Sequence, residues 1–350
     1  MSSSIQQNMN LEERIESFVA LGDILQKVIA HEDGVYSEQL NVLIDNQYKL
    51  NPWFTPDNVR VAVNAIATRL TRENLIKWTD NYPALMEDNI PLRAGVIMAG
   101  NIPLAGFHDF LSVLISGNIL LAKPSSKDSE LIIKIGEILC AINPGFSERI
   151  EFARDHLADF DVIIATGSNN SSRYFDYYFN KYPNIIRKNR NSIAIIEEDQ
   201  TDSELRCLGS DIFLYFGLGC RSVSKIYVPG GYNLSEMTKN WDGNAGVTGH
   251  PKYASNYDFN KAVYLVNKEK FFDTGYLLLK EDNGLSSPVS VLYYEFYDSL
   301  NQLMQQIETM KEKIQCIAGR HFTHFGKTQS PHLWDYADGI DTIEFLLKKN

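Results

Sequence analysis

Residues 94–126 read AGVIMAGNIPLAGFHDFLSVLISGNILLAKPSS, and the punctuation of this stretch decides the fold. Residues 94–99 form an apolar run of the length of a buried strand. Gly100 and Asn101 break it, and Pro103 suits the first position of a helix that covers 103–116. Gly117 ends that helix. Residues 118–122 are a second buried strand, closed by Lys123-Pro124. A strand, a helix and a strand within about 30 residues make one βαβ unit, which requires parallel strands.

The same rhythm continues outward. A helix is expected over 128–140, stopped by Asn143-Pro144-Gly145. Strands follow at 149–152 and 161–165, a helix at 168–180, a strand at 192–196 and a helix at 203–216. After Gly217-Leu218-Gly219-Cys220 comes a strand at 224–228. The runs at 263–266 and 289–294 read as strands of a second αβ unit, and 342–346 as a last strand. Upstream, 11–31 carries Leu11, Ile15, Phe18, Leu25 and Ile29 at helical spacing. A further helix is capped by Thr55 and opened by Pro56, with Val59, Val63, Ile66 and Leu70 as its buried stripe. These helices carry no chemistry and read as packing. The fold class is therefore α/β: a doubly wound parallel sheet followed by a second αβ domain. Ligands of such sheets sit beyond the carboxyl ends of the strands, which directs attention to the residues that follow them.

Composition excludes several function classes. The chain has 350 residues and a formal charge of -11, which is wrong for a scaffold that neutralises phosphate backbones, so no nucleic-acid partner is expected. No apolar run reaches the roughly 18 residues of a membrane span, and the start MSSSIQQNMNLEER does not read as a signal peptide. The cysteines, Cys140, Cys207, Cys220 and Cys316, lie far apart with no metal-ligand spacing. A disulfide framework and a metal site are not expected, and a cytoplasmic location fits.

Four strand ends hold residue types with chemistry. Asn101 puts a side-chain amide at the mouth of a helix, where it either donates to an oxyanion or caps the helix. Lys123 ends a buried strand, and its ammonium needs solvent or an anion such as a cofactor phosphate; the alternative is a snorkelling surface lysine. Thr166-Gly167-Ser168 opens a helix, where free N–H groups and the dipole suit a pyrophosphate, or where Ser168 is an ordinary cap. Cys220 follows a Gly-x-Gly loop that would expose its sulfur for attack on a carbonyl. Cys140 lies in an apolar helix and reads as structural, as do Cys207 and Cys316, both expected in helices. A Cys–His pair with Cys220 would have to come from His108, His250, His321 or His324. No GxGxxG segment is present, so an ordinary dinucleotide fold is not supported.

In order and spacing these segments resemble the aldehyde dehydrogenase superfamily, and more closely its acyl-CoA reductase branch, that of the fatty acid reductase of bacterial bioluminescence. Gly95-Val96-Ile97-Met98-Ala99-Gly100-Asn101-Ile102-Pro103-Leu104 resembles the loop holding the oxyanion-stabilising asparagine. Leu120-Leu121-Ala122-Lys123-Pro124-Ser125 resembles the strand whose lysine meets the adenosine ribose. Ala165-Thr166-Gly167-Ser168 resembles the turn facing the cofactor phosphates. The segment from Gly217 through Cys220 to Val228 resembles that of the nucleophile, and 335–342 the branch's C-terminal end.

The resemblance implies a nicotinamide cofactor held by Ala99, Gly100, Lys123, Ser125, Ser126, Thr166, Gly167 and Ser168, with Cys220 and Asn101 catalytic. NAD-preferring relatives carry a glutamate three residues after the strand lysine. Here that position is Ser126, beside Lys127, which implies NADPH. Oxidising members carry a Glu-Leu-Gly-Gly segment whose glutamate activates water; the corresponding stretch, 187–192, has no carboxylate. The glutamate that would hold the nicotinamide ribose is also missing, at 285–289, with Glu281 nearby.

The implied domains are N-terminal helices (1–75), a cofactor domain (76–205), a catalytic domain (206–334) and a C-terminal strand segment (335–350). The implied reaction is reduction of a fatty acyl thioester to the aldehyde through acyl-Cys220. The implied partners are acyl-CoA or an acyl-protein thioester, an acyl-activating synthetase or acyl carrier protein, and further copies of the chain in a homo-oligomer. Two rival readings are a reductase of another activated acyl group, such as a short acyl-CoA or acyl phosphate, and an inactive acyl-binding partner.

Overall fold

Asn10 and Glu13 form a reciprocal capping box, each side chain accepting the other's backbone N–H, at the start of α1 (Leu11–Ile29). The computed structural model that carries this detail describes residues 9–87 and 90–348. Helices α2 (Ser37–Asn46), α3 (Pro56–Ala67) and α4 (Arg72–Thr79) follow. Thr55 caps α3 through its side chain, with Pro56 at the first position. Phe18, Leu21, Leu25, Val59, Val63 and Ile66 from these helices enter one core with the strands described next.

The chain divides into two units, one running through Lys188 and resuming at His332, the other spanning Asn189–Pro331. The first contains β1 (Arg93–Ile97), α5 (Phe107–Ile115), β2 (Ile119–Lys123), α6 (Glu130–Ile142), β3 (Ile150–Phe152), β4 (Val162–Thr166), α7 (Asn169–Phe179) and β5 (Asn184–Arg187). Its sheet is parallel throughout, in the order β3-β2-β1-β4-β5. The order reverses between β1 and β4, and such a switch point is where doubly wound sheets bind ligands. The middle residues of β1 and β2 are buried, as in a sheet covered on both faces.

The second unit contains β6 (Asn191–Ile195), α8 (Asp202–Phe213), β7 (Val223–Pro229), α9 (Leu234–Lys239), α10 (Pro251–Val266), β8 (Phe272–Asp273), β9 (Leu278–Glu281), β10 (Val291–Tyr297), α11 (Leu300–Thr309) and β11 (Ile314–Ala318). Its sheet runs β11-β6-β7-β10-β9-β8, parallel except for the β8–β9 pair. The final helix, α12 (Thr342–Leu347), belongs to the first unit.

Several expectations are corrected. Residues 263–266 are not a strand but the last turn of α10, which begins at Pro251 behind the capping His250; a short apolar run has no period of its own. Residues 342–346 are likewise helical, because Asp341 accepts the N–H of Glu344 and caps α12. The helix after β1 starts at Phe107 rather than Pro103, since Leu104 is left-handed (φ 57°) and cannot continue a helix. Cys316 lies on β11, not on a helix. Strand β5, not anticipated, completes the first sheet. Strand β6 and the first turn of α8, expected in the cofactor domain, belong to the second unit.

Candidate active site

In the first unit the carboxyl ends of three strands lie level. Ile97 pairs with Lys123 on one side and Ala165 on the other, and the Met98 N–H donates to the Lys123 carbonyl at 3.0 Å. Ala99, Gly100 and Asn101, then Lys123, Ser125 and Ser126, then Thr166, Gly167 and Ser168 all leave the same edge, at the switch point. The fold thus gathers the nine predicted residues of this unit onto three adjoining strand ends.

The loops there touch closely. A Cβ on Gly100 would run into the Oγ of Ser125 and come within 2.5 Å of its Cβ, so only glycine allows the first loop to lie against the second. Asn51 donates its amide to the Gly100 carbonyl at 3.3 Å, a support from the N-terminal segment read as mere packing. Asn101 is exposed and does not cap α5, whose N-cap is Gly106; of its two readings, the ordinary cap is the one the geometry removes. The Lys123 ammonium donates to the Asp155 carbonyl at 2.5 Å and has three N–H groups in all. Ser126 and Lys127 are exposed beside it.

Ser168 caps α7, accepting the Ser171 N–H at 3.2 Å. A Cβ on Gly167 would meet Phe175 and Ser171 at 2.8 Å, so the turn lies tight on its own helix. The hydroxyls of Thr166 and Ser168, the first N–H groups of α7 and the Lys123 ammonium form a donor set suited to a dinucleotide pyrophosphate.

One buried carboxyl beside these loops has no signature in the sequence. Asp128, taken only as a helix start, is 4% exposed and accepts the Leu104 N–H at 2.8 Å. An acidic residue at a helix N-terminus is so ordinary that nothing marked it as turned inward.

In the second unit, Cys220 is exposed, as is Cys207; Cys140 is half-buried and Cys316 buried. The expectation that Cys207 is a buried structural thiol is thus corrected: it lies on the solvent side of α8. Before Cys220 the backbone is left-handed at Tyr215 (φ 54°), Phe216 (φ 56°) and Gly217 (φ 75°). Each non-glycine residue there costs roughly 1–2 kcal/mol, so the surroundings must hold the turn. They do so through the buried Tyr215 and through Phe216, whose ring meets those of His250 at 4.5 Å and Tyr253 at 6.1 Å.

After the turn, Ser192 of β6 donates its hydroxyl to the Cys220 carbonyl at 2.9 Å. Ser222 accepts from the Gly219 N–H at 3.3 Å and from the Gln329 amide at 3.1 Å. The strand behind is anchored by the fully buried Lys225, which donates to Glu295 (2.6 Å) and the Asp282 carbonyl (2.9 Å). Ser224 donates to the Leu285 carbonyl at 2.6 Å, tying β7 to the segment where a ribose-binding glutamate was sought. Glu281 is exposed at the end of β9.

The histidines are placed as follows. His108 is in the first unit, bonded to the Leu333 carbonyl at 2.8 Å, and burial lowers its pKa to about 4. His250 caps α10, and His321 and His324 are exposed. Arg187, in the stretch without a carboxylate, is buried and ion-paired to Asp109; Glu197, beyond the end of β6, lies 3.9 Å from Arg320. No helix of the described residues is long and apolar enough to cross a membrane, and none of their His, Cys, Asp and Glu side chains cluster in a metal-holding group.

Comparison with known proteins bears on the family and the fold. Residues 71–311 match the family described as acyl-CoA reductase (LuxC). A curated relative, the long-chain acyl-protein thioester reductase of Aliivibrio fischeri, is 25% identical over 205 residues. That match covers 53% of this chain and 42% of the relative, so the chain spans less than half of that protein's length. Among solved structures, the NAD+ complex of an aldehyde dehydrogenase from Bacillus cereus superposes with a TM-score of 0.62 at 14% identity, covering 91% of this chain and 73% of that one. A Mycobacterium tuberculosis aldehyde dehydrogenase complexed with NAD+ gives 0.60 at 13%, over 91% and 73%. At such identities the likeness establishes the fold: an aldehyde-dehydrogenase-like α/β architecture.

Proposed function

Because the chain belongs to the acyl-CoA reductase (LuxC) family, we propose that it reduces a fatty acyl thioester to the aldehyde, with Cys220 as the acyl carrier. The observation that carries this reading is the exposed Cys220 sulfur at the end of a strained, externally braced turn. Strain of that kind clusters at active sites, ligand clamps and switch regions.

In this reading the Cys220 thiolate adds to the thioester carbonyl. The amide of Asn101 and the Cys220 N–H stabilise the oxyanion. The carbon–sulfur bond to the donor breaks, the donor leaves as a thiol, and Cys220 keeps the acyl group. Lys123, Ser125, Ser126, Thr166, Gly167 and Ser168 would hold the nicotinamide cofactor, which when bound would supply the hydride that reduces the acyl group. Asn101 and the Cys220 N–H again hold the oxygen, and its collapse expels the Cys220 thiolate and frees the aldehyde. One acyl thioester, one reduced cofactor and one proton give one aldehyde, one thiol and one oxidised cofactor.

The donor is a thioester of coenzyme A or of a protein, such as an acyl carrier protein or an acyl-activating synthetase; acyl-protein thioester is the substrate in the name of the A. fischeri relative. Reduction rather than oxidation follows from residues 187–192. General-base help to hydrolysis is worth about 100- to 10,000-fold, and that stretch holds no carboxylate while Arg187 is engaged with Asp109.

Two measurements test the reading. Cofactor oxidation should proceed with long-chain acyl-CoA and fall sharply with acetyl-CoA; equal rates would favour a reductase of short acyl groups, and no rate with either an inactive acyl-binding protein. Exposed Ser126 and Lys127 accommodate a 2′-phosphate, where a glutamate would repel it. NADPH should therefore give the higher kcat/KM, and a clear preference for NADH would refute that assignment.

A further inference from the structure

A buried carboxyl joins two loops of the first unit's site. The backbone N–H of Asp128 donates to the Ser125 carbonyl at 2.9 Å, closing the turn that carries Ser125, Ser126 and Lys127. Its side chain points the other way, where Oδ2 accepts the N–H of Leu104 at 2.8 Å and the N–H of Ala105 also bonds the carboxyl. Leu104 is left-handed and itself buried, a conformation costing a non-glycine residue roughly 1–2 kcal/mol and kept only if something holds it. Three residues before it stands Asn101, and Gly100 packs against Ser125. The other Asp128 oxygen, Oδ1, is buried and has no hydrogen-bond partner among the described residues. A carboxylate in that state is costly, and burial raises the group's pKa to about 8. Mere capping of α6 does not account for such a group: the N-cap of α6 is Ser129.

We propose that Asp128 is a positioning residue for Asn101: by holding the left-handed turn at Leu104 against the Ser125 turn, it sets the loop from which the Asn101 amide reaches the oxyanion. This rests on the reading that Asn101 stabilises the oxyanion formed on attack by Cys220. Asp128 touches no reacting atom; it acts through the backbone of Leu104 and Ala105.

The test is the single-turnover rate of acylation by long-chain acyl-CoA without cofactor, in the parent chain and in Asn101→Ala, Asp128→Ala and Asp128→Asn, with NADPH affinity measured on each by fluorescence quenching. Asp128→Ala should slow acylation on the order of 100-fold, the size of effect a misplacement of about 1 Å produces, with acyl-CoA KM and NADPH affinity nearly unchanged. Asp128→Asn should restore most of the rate, because its amide oxygen still accepts from Leu104 and its NH2 replaces the protonated oxygen. Where Asp128→Ala fails to fold, Asp128→Ser takes its place, its hydroxyl one bond too short to reach Leu104. Parental acylation in Asp128→Ala or Asp128→Ser, with Asn101→Ala impaired, overturns this inference alone. So does equal loss in Asp128→Asn and Asp128→Ala. Parental acylation in Asn101→Ala overturns the oxyanion reading and, with it, this inference.

Discussion

Cys220, Asn101 and Asp128 differ in how far a residue's role can be read before its surroundings are known. Cys220 stood out by the Gly-x-Gly before it, but that spacing did not reveal that two aromatic residues, Tyr215 and Phe216, share the left-handed backbone with Gly217. Aromatic residues rarely adopt it, and only contacts distant in sequence, His250 and Tyr253, explain why they do here. Cys207 lies on the outer face of α8, which a lone cysteine in a sequence does not announce. Asp128 was invisible because its partner, the N–H of Leu104, is 24 residues away.

The Asp128 carboxyl also makes a stability prediction. Its folded pKa of about 8 lies above the unfolded value near 3.8, so the native state holds a proton that the unfolded chain releases. The stabilisation is complete below about pH 4, declines as pH rises to about 8, and changes no further above that. Asp128→Asn cannot titrate. Its melting temperature relative to the parent should therefore climb between about pH 4 and pH 8 and then level off. A constant difference across this range would show that the carboxyl is not protonated in the fold.

Elements were legible where their signals are local. The cap at Thr55, the stop at Gly117 and the alternation from 94 to 166 all depend on neighbouring residues, and each has its counterpart in the structure. The differences at 263–266 and 342–346 share one cause: a mostly apolar run of four or five residues fits a buried strand or one helical turn equally well, and the caps that decide it are His250 and Asp341. Strand β5 was missed because it has only four residues and begins and ends on polar side chains, Asn184 and Arg187. Arg187 is buried there against Asp109 of α5 and donates to Thr342 of α12 at 2.9 Å, so one guanidinium joins three elements of the first unit. Arg187→Met should destabilise that unit by about 3–5 kcal/mol, the usual effect of leaving one buried charge alone. Asp109→Leu combined with Arg187→Met should recover most of the loss, as urea denaturation of the two variants will report. A double variant no better than the single would mean that Asp109 has no need of Arg187.

At the scale of the whole chain, the parallel, doubly wound character of the first unit was readable, and its strand order places the switch point between β1 and β4. The rule that ligands gather at carboxyl ends points, in that unit, to the strand ends that carry the proposed cofactor residues. It does not describe the second, where Cys220 comes before β7, at the amino end of the strand, held by Ser192 at the amino end of β6. The second sheet was only partly legible: its antiparallel β8–β9 pair and the helices from 234 to 266 carry weak periodic signals. In the proposed reading the chemistry depends on few positions, and acylation of Cys220 is the step on which the others turn. Intact-mass spectrometry after incubation with a long-chain acyl-CoA in the absence of cofactor measures it directly. A single acyl adduct is predicted, located by peptide mapping at Cys220, absent from Cys220→Ala, retained in Cys207→Ala, and discharged as aldehyde when NADPH is added. An adduct that persists in Cys220→Ala, or aldehyde produced by that variant at the parental rate, would contradict the account.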